Sequence, residues 1–257
     1  MSLSGRPGNF GTRFQNHLYD ELGLDFVYKA FTTTDLPAAI GGVRALGVRG
    51  CAISMPFKES VIEFLDRMDP SAAAIGSVNT IVNDEGVLTG LNTDYLAIRT
   101  IAARFDPTMS VVMRGSGGMA KAVACALRDG GFRHGTIVAR NEAAGRALAD
   151  ATGYAWGGAD WTGEAAMLVN VTPLGMEGPF ATALAFEEAA VAAAEVVFDV
   201  VALPAETPLI RAARRLGRTV VTGAEVVVLQ GLEQFVLYTG VRPEPAAVER
   251  AARFALG

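Results

Sequence analysis

The stretch Met113–Ala122 reads MRGSGGMAKA. Before it, Ser110–Met113 has the apolar, β-branched pattern of a short buried strand; after it, Met119–Arg128 has the spacing of a helix. Strand, glycine-rich turn and helix in that order predict a nucleotide-binding corner. Gly115, Gly117 and Ala120 fill the small positions of G-x-G-x-x-G/A. Gly115 permits the tight turn, Gly117 removes a side chain where a pyrophosphate must approach, and Ala120 lets helix and strand pack closely. Ser116, Gly118 and Met119 complete the turn into a helix whose free N–H groups and positive dipole end suit phosphate.

Outward from this corner the pattern repeats. Thr136–Ala139 reads as a strand, Glu142–Thr152 as a helix, then Ala166–Val171, Glu195–Val200 and Thr219–Val221 as strands, with a helix over Pro208–Leu216. Strands spaced by helices imply right-handed crossovers and a parallel sheet. Residues 106–222 are therefore expected to form a Rossmann-type dinucleotide domain. The second strand ends on Arg140–Asn141 with no acid at its tip. A guanidinium there pairs bidentately with a 2′-phosphate, which favours NADP over NAD. In Leu168–Met176, LVNVTPLGM, a strand ends in polar residues and turns at Pro173 and Gly175. Ligands of open α/β sheets bind beyond the carboxyl ends of strands, so Thr172 and Pro173 are expected to border the cofactor.

Upstream, Phe26–Phe31, Gly50–Met55 and the hairpin Val78–Val82/Val87–Leu91 read as strands, and Leu36–Leu46, Ser60–Met68 and Thr93–Phe105 as helices. Asp106–Pro107 marks a junction. After Gly223 only helices follow, Ala224–Tyr238 and Pro245–Ala255. The expected organisation is a mixed α/β substrate-binding and catalytic domain over 1–105, to which 223–257 return, and the nucleotide domain over 106–222.

Composition sets outer limits. The chain has 257 residues, is 51% hydrophobic and carries a formal charge of −5, as expected of a globular protein with a substantial core. No apolar run reaches the roughly 18–20 residues of a membrane span, no secretory leader is read, and mild acidity gives no reason to expect nucleic acid; the expectation is a cytoplasmic protein. Cys51 and Cys125 sit far apart in apolar runs and read as buried free thiols. His17 and His134 stand at no metal-ligand spacing, so no metal is expected.

One further stretch carries chemistry. Ile53–Ser60 reads ISMPFKES, an apolar run that ends on Lys58. On pattern alone that lysine is either a helix-start residue pointing to water or an ammonium delivered to the end of a buried strand.

Together the segments ELGLDFVYKAF, ISMPFKE, GSVNTIV, LNTD, GSGGMAKAV, VNVTPLGM, FDVV…P…ETPLI and GAEVVVLQGLEQF resemble shikimate dehydrogenases over nearly the whole chain. The resemblance implies reversible hydride transfer between NADP and the hydroxyl of a cyclic hydroxy acid. It implies that Lys58 and Asp94 form the catalytic pair, with Lys58 as carrier of the hydroxyl proton or as a clamp on developing alkoxide charge, and that Ser54, Asn79 and Gln230 contact substrate. Asn9 and Gly11 stand where the family carries a serine pair for the substrate carboxylate, and Thr12 stands where it carries proline. The chain is therefore similar to the shikimate dehydrogenase-like subgroup. Asn9 and Thr12 remain candidate carboxylate ligands, with shikimate binding weakened by about 1–3 kcal/mol per lost contact. The cofactor loop's second arginine is Ala144 in register, with Arg146 close by. Quinate or aminoshikimate are alternative substrates, a ligand-binding protein with little turnover is the alternative class, and the chain is expected as a monomer or homodimer.

Overall fold

The computed structural model describes residues Met1–Gly257. In chain order the elements are β1 Ser2–Leu3, α1 Phe10–Glu21, β2 Ala30–Phe31, α2 Leu36–Ala45, β3 Gly50–Ile53, a 3₁₀ turn Ile62–Phe64, β4 Arg67–Met68, α3 Pro70–Ala73, β5 Thr80–Asp84, β6 Val87–Leu91 and α4 Thr93–Ala102. There follow β7 Val111–Arg114, α5 Gly118–Asp129, β8 Gly135–Val138, α6 Glu142–Thr152, β9 Ala155–Trp156, β10 Met167–Asn170, α7 Glu188–Ala193, β11 Val196–Asp199, α8 Pro208–Arg215, β12 Thr219–Thr222, α9 Gly223–Thr239 and α10 Pro245–Leu256. Two compact units result, Met1–Leu96 with Val228–Gly257, and Ala97–Val227. These divisions lie within α4 and α9, whereas the sequence pattern put junctions near residues 105 and 222.

In the first unit the sheet order is β2-β1-β3-β5-β6-β4. Strands β2, β1 and β3 run parallel, β5 is antiparallel to both β3 and β6, and β4 returns parallel to β6. One side of the core joins Leu3, Ile40, Val43, Ile53, Val61, Ile81 and Leu88. Another joins Phe14 and Leu18 of α1 with Phe235 of α9 and Val248 and Ala251 of α10. Phe14 and Phe235 are fully buried; truncating either to alanine removes about 3–5 kcal/mol.

The second unit carries the sheet β12-β11-β10-β7-β8-β9, every neighbouring pair parallel. The order reverses between β7 and β10, as in doubly wound dinucleotide folds, so the expected Rossmann-type sheet is present. Its inner strands β7, β8, β10 and β11 are buried on both faces, which explains their apolar character, whereas the edge strands β9 and β12 are largely exposed or half-buried. Asn141 caps α6, its side chain accepting from the Ala144 amide, and Gly153 closes the helix in the left-handed region at φ 72°.

Three expected elements are corrected. The strand over Phe26–Phe31 is reduced to Ala30–Phe31. The helix over Ser60–Met68 is a single 3₁₀ turn followed by β4, because the backbone from Asp66 onward pairs with β6, Asp66 N donating to Leu88 O and Asp69 N to Gly90 O. The helix from Thr93 stops at Ala102 rather than Phe105. No helix is long and apolar enough to cross a membrane. Both cysteines are free and buried.

Candidate active site

In the first unit, β3 delivers the chain into the turn that carries Lys58. The Phe57 amide donates to Ser54 O at 2.9 Å, and Lys58 O accepts from Val78 N at 2.9 Å, which anchors the lysine's own backbone beside the entry to β5. Opposite, Asp94 sits in the first turn of α4, where the positive end of the helix favours a carboxylate. Asn92 performs the capping, its Oδ1 accepting from Tyr95 N at 3.0 Å, so Asp94 is released for another partner. That partner is Lys58, whose Nζ donates to Asp94 Oδ2 at 2.7 Å. The side chains are 29% and 13% exposed, so the pair is largely withdrawn from solvent yet reachable from one side.

A buried amide network backs this pair. Asn79 Oδ1 accepts from Thr93 N at 2.7 Å, Thr93 Oγ1 at 3.1 Å and Thr80 Oγ1 at 2.9 Å. Because Thr93 N can only donate, the amide orientation is fixed and the Asn79 NH₂ faces away from the network, with no protein partner of its own. Thr93 Oγ1 also lies 3.4 Å from Gln230 Oε1. Gln234, one turn along α9, donates to Thr80 Oγ1 at 3.1 Å. The structure thus gathers Lys58 with Asp94, and Asn79 with Gln230, around the Thr93–Asp94 step. Thr80, Thr93 and Gln234 were missed in the sequence; a polar residue inside an apolar strand or helix face was their only signal. Asn9 and Thr12 lie at the start of α1, and Asn9 makes no side-chain cap bond. Ser54 lies just past β3, its amide donating to Leu3 O at 2.9 Å. None of these three side chains hydrogen-bonds to the Lys58–Asp94 group. Gly11 stands against Tyr28: a Cβ there would lie 3.2 Å from the phenol oxygen, so a serine at this position requires Tyr28 to give by a few tenths of an ångström.

The second unit opens a cavity of about 510 Å³ at the sheet's reversal point, lined by Gly115, Ser116, Gly117, Arg140, Asn141, Thr172 and Pro173 among others. Gly115 has φ 131°, and a Cβ on it would come within 2.7 Å of Val171 Cγ2 and 2.9 Å of Val171 O, so only glycine fits. A Cβ on Gly117 or Gly118 would meet nothing within 4 Å. Gly117 is the N-cap of α5 and supplies no side-chain cap, so the first amides of the helix stand open to an anion. Small open glycines, uncapped N–H groups and the Arg140 guanidinium fit a dinucleotide phosphate. Gly118, Met119 and Ala120 do not line the cavity; Ala120 is buried in the helix–sheet contact. Asn141 lines it while spending its side-chain oxygen on the cap of α6 at 3.0 Å.

Beneath the Thr172–Leu174 turn lies a buried carboxylate. Asp199 Oδ1 accepts from Asn170 Nδ2 at 2.9 Å and Val201 N at 3.1 Å, and Oδ2 accepts from Thr207 Oγ1 at 2.7 Å. Burial still pushes its carboxyl above the usual range, against these three donors. Asn170 Oδ1 in turn accepts from Thr172 N at 3.1 Å and Thr172 Oγ1 at 2.6 Å. The turn that borders the cavity is therefore held from below. No cluster of three or more histidine, cysteine, aspartate or glutamate side chains is placed to hold a metal.

Fold and site define a Rossmann-type nucleotide-binding protein with a lysine–aspartate pair in its other unit. The family model for the shikimate dehydrogenase substrate binding domain matches residues 11–81. A shikimate dehydrogenase-like protein of Haemophilus influenzae is 54% identical over 258 residues, 99% of this chain and 95% of that protein. A solved shikimate 5-dehydrogenase-like protein superposes with a TM-score of 0.98 at 53% identity, covering 100% of this chain and 97% of the other. The shikimate 5-dehydrogenase of Thermus thermophilus, solved with NADP(H) and shikimate, superposes with a TM-score of 0.85 at 30% identity, covering 99% and 98%. The chain belongs to the shikimate dehydrogenase family.

Proposed function

We propose that the chain is an NADP-dependent oxidoreductase that interconverts a cyclic hydroxy acid and its ketone, with shikimate and 3-dehydroshikimate or a close analogue as the pair. The observation that carries this reading is the 2.7 Å Lys58–Asp94 contact, formed beside the partnerless Asn79 amide in a chain of this family. The ligands of the Thermus thermophilus relative supply the chemical classes. In this reading the Met1–Leu96/Val228–Gly257 unit serves the substrate and the Ala97–Val227 unit the cofactor.

The nicotinamide, when bound, supplies the site that accepts or returns the hydride. Lys58 handles the accompanying proton: its amine form takes the hydroxyl proton during oxidation, and its ammonium form returns it during reduction. Asp94 holds the lysine in place and balances its charge while the substrate oxygen carries partial negative charge. Asn79 donates from its NH₂ to a substrate hydroxyl oxygen, and Gln230 contacts substrate from α9. Asn9, Thr12 and Ser54 are assigned to the substrate's remaining polar groups. The glycine turn, the α5 amides, Thr172 and Pro173 take the dinucleotide, and Arg140 meets the 2′-phosphate.

Following NADPH absorbance with a panel of cyclic hydroxy acids and their ketones tests the assignment. Turnover on at least one pair, with NADPH preferred to NADH, is expected. Tight NADPH binding with no turnover on any compound replaces this reading with that of a ligand-binding protein.

A further inference from the structure

A second arginine lines the nucleotide cavity. Arg114 ends β7, directly before Gly115, and stands between two cavities: the nucleotide cavity, which it lines together with Arg140, and an adjoining one of about 690 Å³ lined by Ala159 and Phe186. Strand alternation puts its side chain on the sheet face of Val112, the face that packs with Phe186 and Val191. Its Nη1 donates to Ala159 O at 3.3 Å, just past β9, and its Cζ lies 5.2 Å from the centre of the Phe186 ring. Since β8 lies between β7 and β9, the guanidinium reaches from the central strand toward the end of the sheet where β8 runs out into Arg140. That is the opposite direction from α5, whose amides face the pyrophosphate.

No carboxylate pairs with this cation. Asp160 and Glu187 act on it through space, without ion-pair contact, and burial lowers its proton affinity. Its Nε is buried and has no hydrogen-bond partner. A half-buried guanidinium with an unused donor and no carboxylate in direct contact is an unfavourable arrangement for the protein alone. The nucleotide cavity has no acidic lining residue; Asp160, Glu164 and Glu187 line the adjoining cavity that Arg114 also borders, and none of them forms an ion pair with it. Arg146, the residue nearest the family's second cofactor arginine, is not available: it pairs with Glu142 at 2.8 Å, stacks over Trp156 at 5.6 Å and does not line the cavity.

We infer that Arg114 is a specificity-determining residue for the cofactor, forming with Arg140 a two-guanidinium site for the 2′-phosphate of the adenosine half. The β7 strand thereby supplies the cation that α6 lacks. This rests on the cofactor assignment above.

Isothermal titration of the full chain with adenosine 2′,5′-bisphosphate and with adenosine 5′-monophosphate isolates the phosphate in question, because the two probes differ only there. The unaltered chain is expected to prefer the bisphosphate. Arg114→Met is expected to weaken the bisphosphate about tenfold to a hundredfold, the range of a charge-assisted contact, and to leave the monophosphate unchanged. Arg114→Lys is expected to recover part of the loss, since it keeps the charge without the fork. Equal weakening of both probes, or of neither, in a variant that melts like the original overturns the inference. Should R114M fail to fold, Arg114→Gln carries the same comparison, because it keeps a donor for Ala159 and removes the charge. If the unaltered chain shows no preference for the bisphosphate, the NADP assignment itself fails.

Discussion

Replacing Lys58 with methionine removes an ammonium and keeps the length of the side chain. The cost to folding follows from exposure. Breaking a fully buried ion pair costs about 3–5 kcal/mol, and an exposed one about 0–1 kcal/mol. With its side chains 29% and 13% exposed, this pair lies between, so Lys58→Met is expected to cost about 1–2 kcal/mol. In a chain of this size that lowers the melting temperature by roughly 2–8 °C. The chemical cost is larger. A positioned proton donor or acceptor contributes about 10²–10⁴ in rate, or about 3–5 kcal/mol of barrier. The variant should therefore remain folded at assay temperature with kcat reduced by two orders of magnitude or more and KM changed little. Steady-state kinetics on the accepted substrate, beside a melting curve, read both terms. Adding Asp94→Asn to Lys58→Met should return most of the lost stability, because no unpaired carboxylate remains, while turnover stays low. A kcat within about tenfold of the original, with KM rising in proportion, refutes a chemical role and leaves Lys58 as a binding group.

Gly115→Ala forces a Cβ to within 2.7 Å of Val171 at a φ of 131°; nucleotide affinity should fall at least tenfold, about 1.4 kcal/mol, and an unchanged affinity by titration refutes the need for glycine. Asn79→Asp keeps the oxygen that accepts from Thr80 and Thr93 and converts the free NH₂ to an acceptor; KM should rise about tenfold with melting little changed, whereas a lowered melting temperature with normal KM marks the residue as scaffold. Asp199 titrates above the ordinary carboxylate range in the folded chain, so its contribution to stability is complete below the unfolded value and is lost as pH rises through the folded one. Relative to Asp199→Asn, the original chain should gain melting temperature as pH is lowered from 8 toward 4; a relative loss over that range refutes a burial-dominated shift.

Most of the nucleotide unit could be read from sequence because its longer strands and helices alternate locally around glycine turns; the two-residue strand Ala155–Trp156 and the six-residue helix Glu188–Ala193 were too short to show a period. The first unit carries fewer such marks. Strand β1 is Ser2–Leu3 alone, too short for any alternation to show, and exists because β2 and β3 offer parallel partners on both sides. Ser60–Met68 has an amphipathic helical spacing, yet the free edge of β6 captures its second half, and Asp66 Oδ2 accepts from Leu88 N at 2.7 Å. Lys58 and Asp94 are 36 residues apart, and no periodicity links them; only the family resemblance did. Arg114 follows the expected strand Ser110–Met113 and carries no signal of its own in the sequence; its place at the end of β7 becomes clear only from the structure.

The case for Asn79 as a ligand contact comes from comparing it with the other withdrawn asparagines. Asn16 donates to Tyr28 O and accepts from Tyr28 N, an exchange that pins the chain ahead of β2. Asn83 donates to Val43 O and accepts from Gly86 N, closing the hairpin turn. Asn92 donates to Ser77 O and accepts from Tyr95 N; Asn170 donates to Leu174 O and Asp199 and accepts from Thr172. Each uses both ends of its amide within the protein, as burial of a polar group requires. Asn79 is 3% exposed, as withdrawn as Asn83, Asn92 and Asn170, yet its oxygen takes three donors and its nitrogen takes no protein acceptor. Its nitrogen is not among the fully buried atoms that lack a partner, so the two donors stay open to whatever occupies the adjoining space. Under the proposed function, a substrate hydroxyl is the acceptor that these donors meet, beside the Lys58–Asp94 pair.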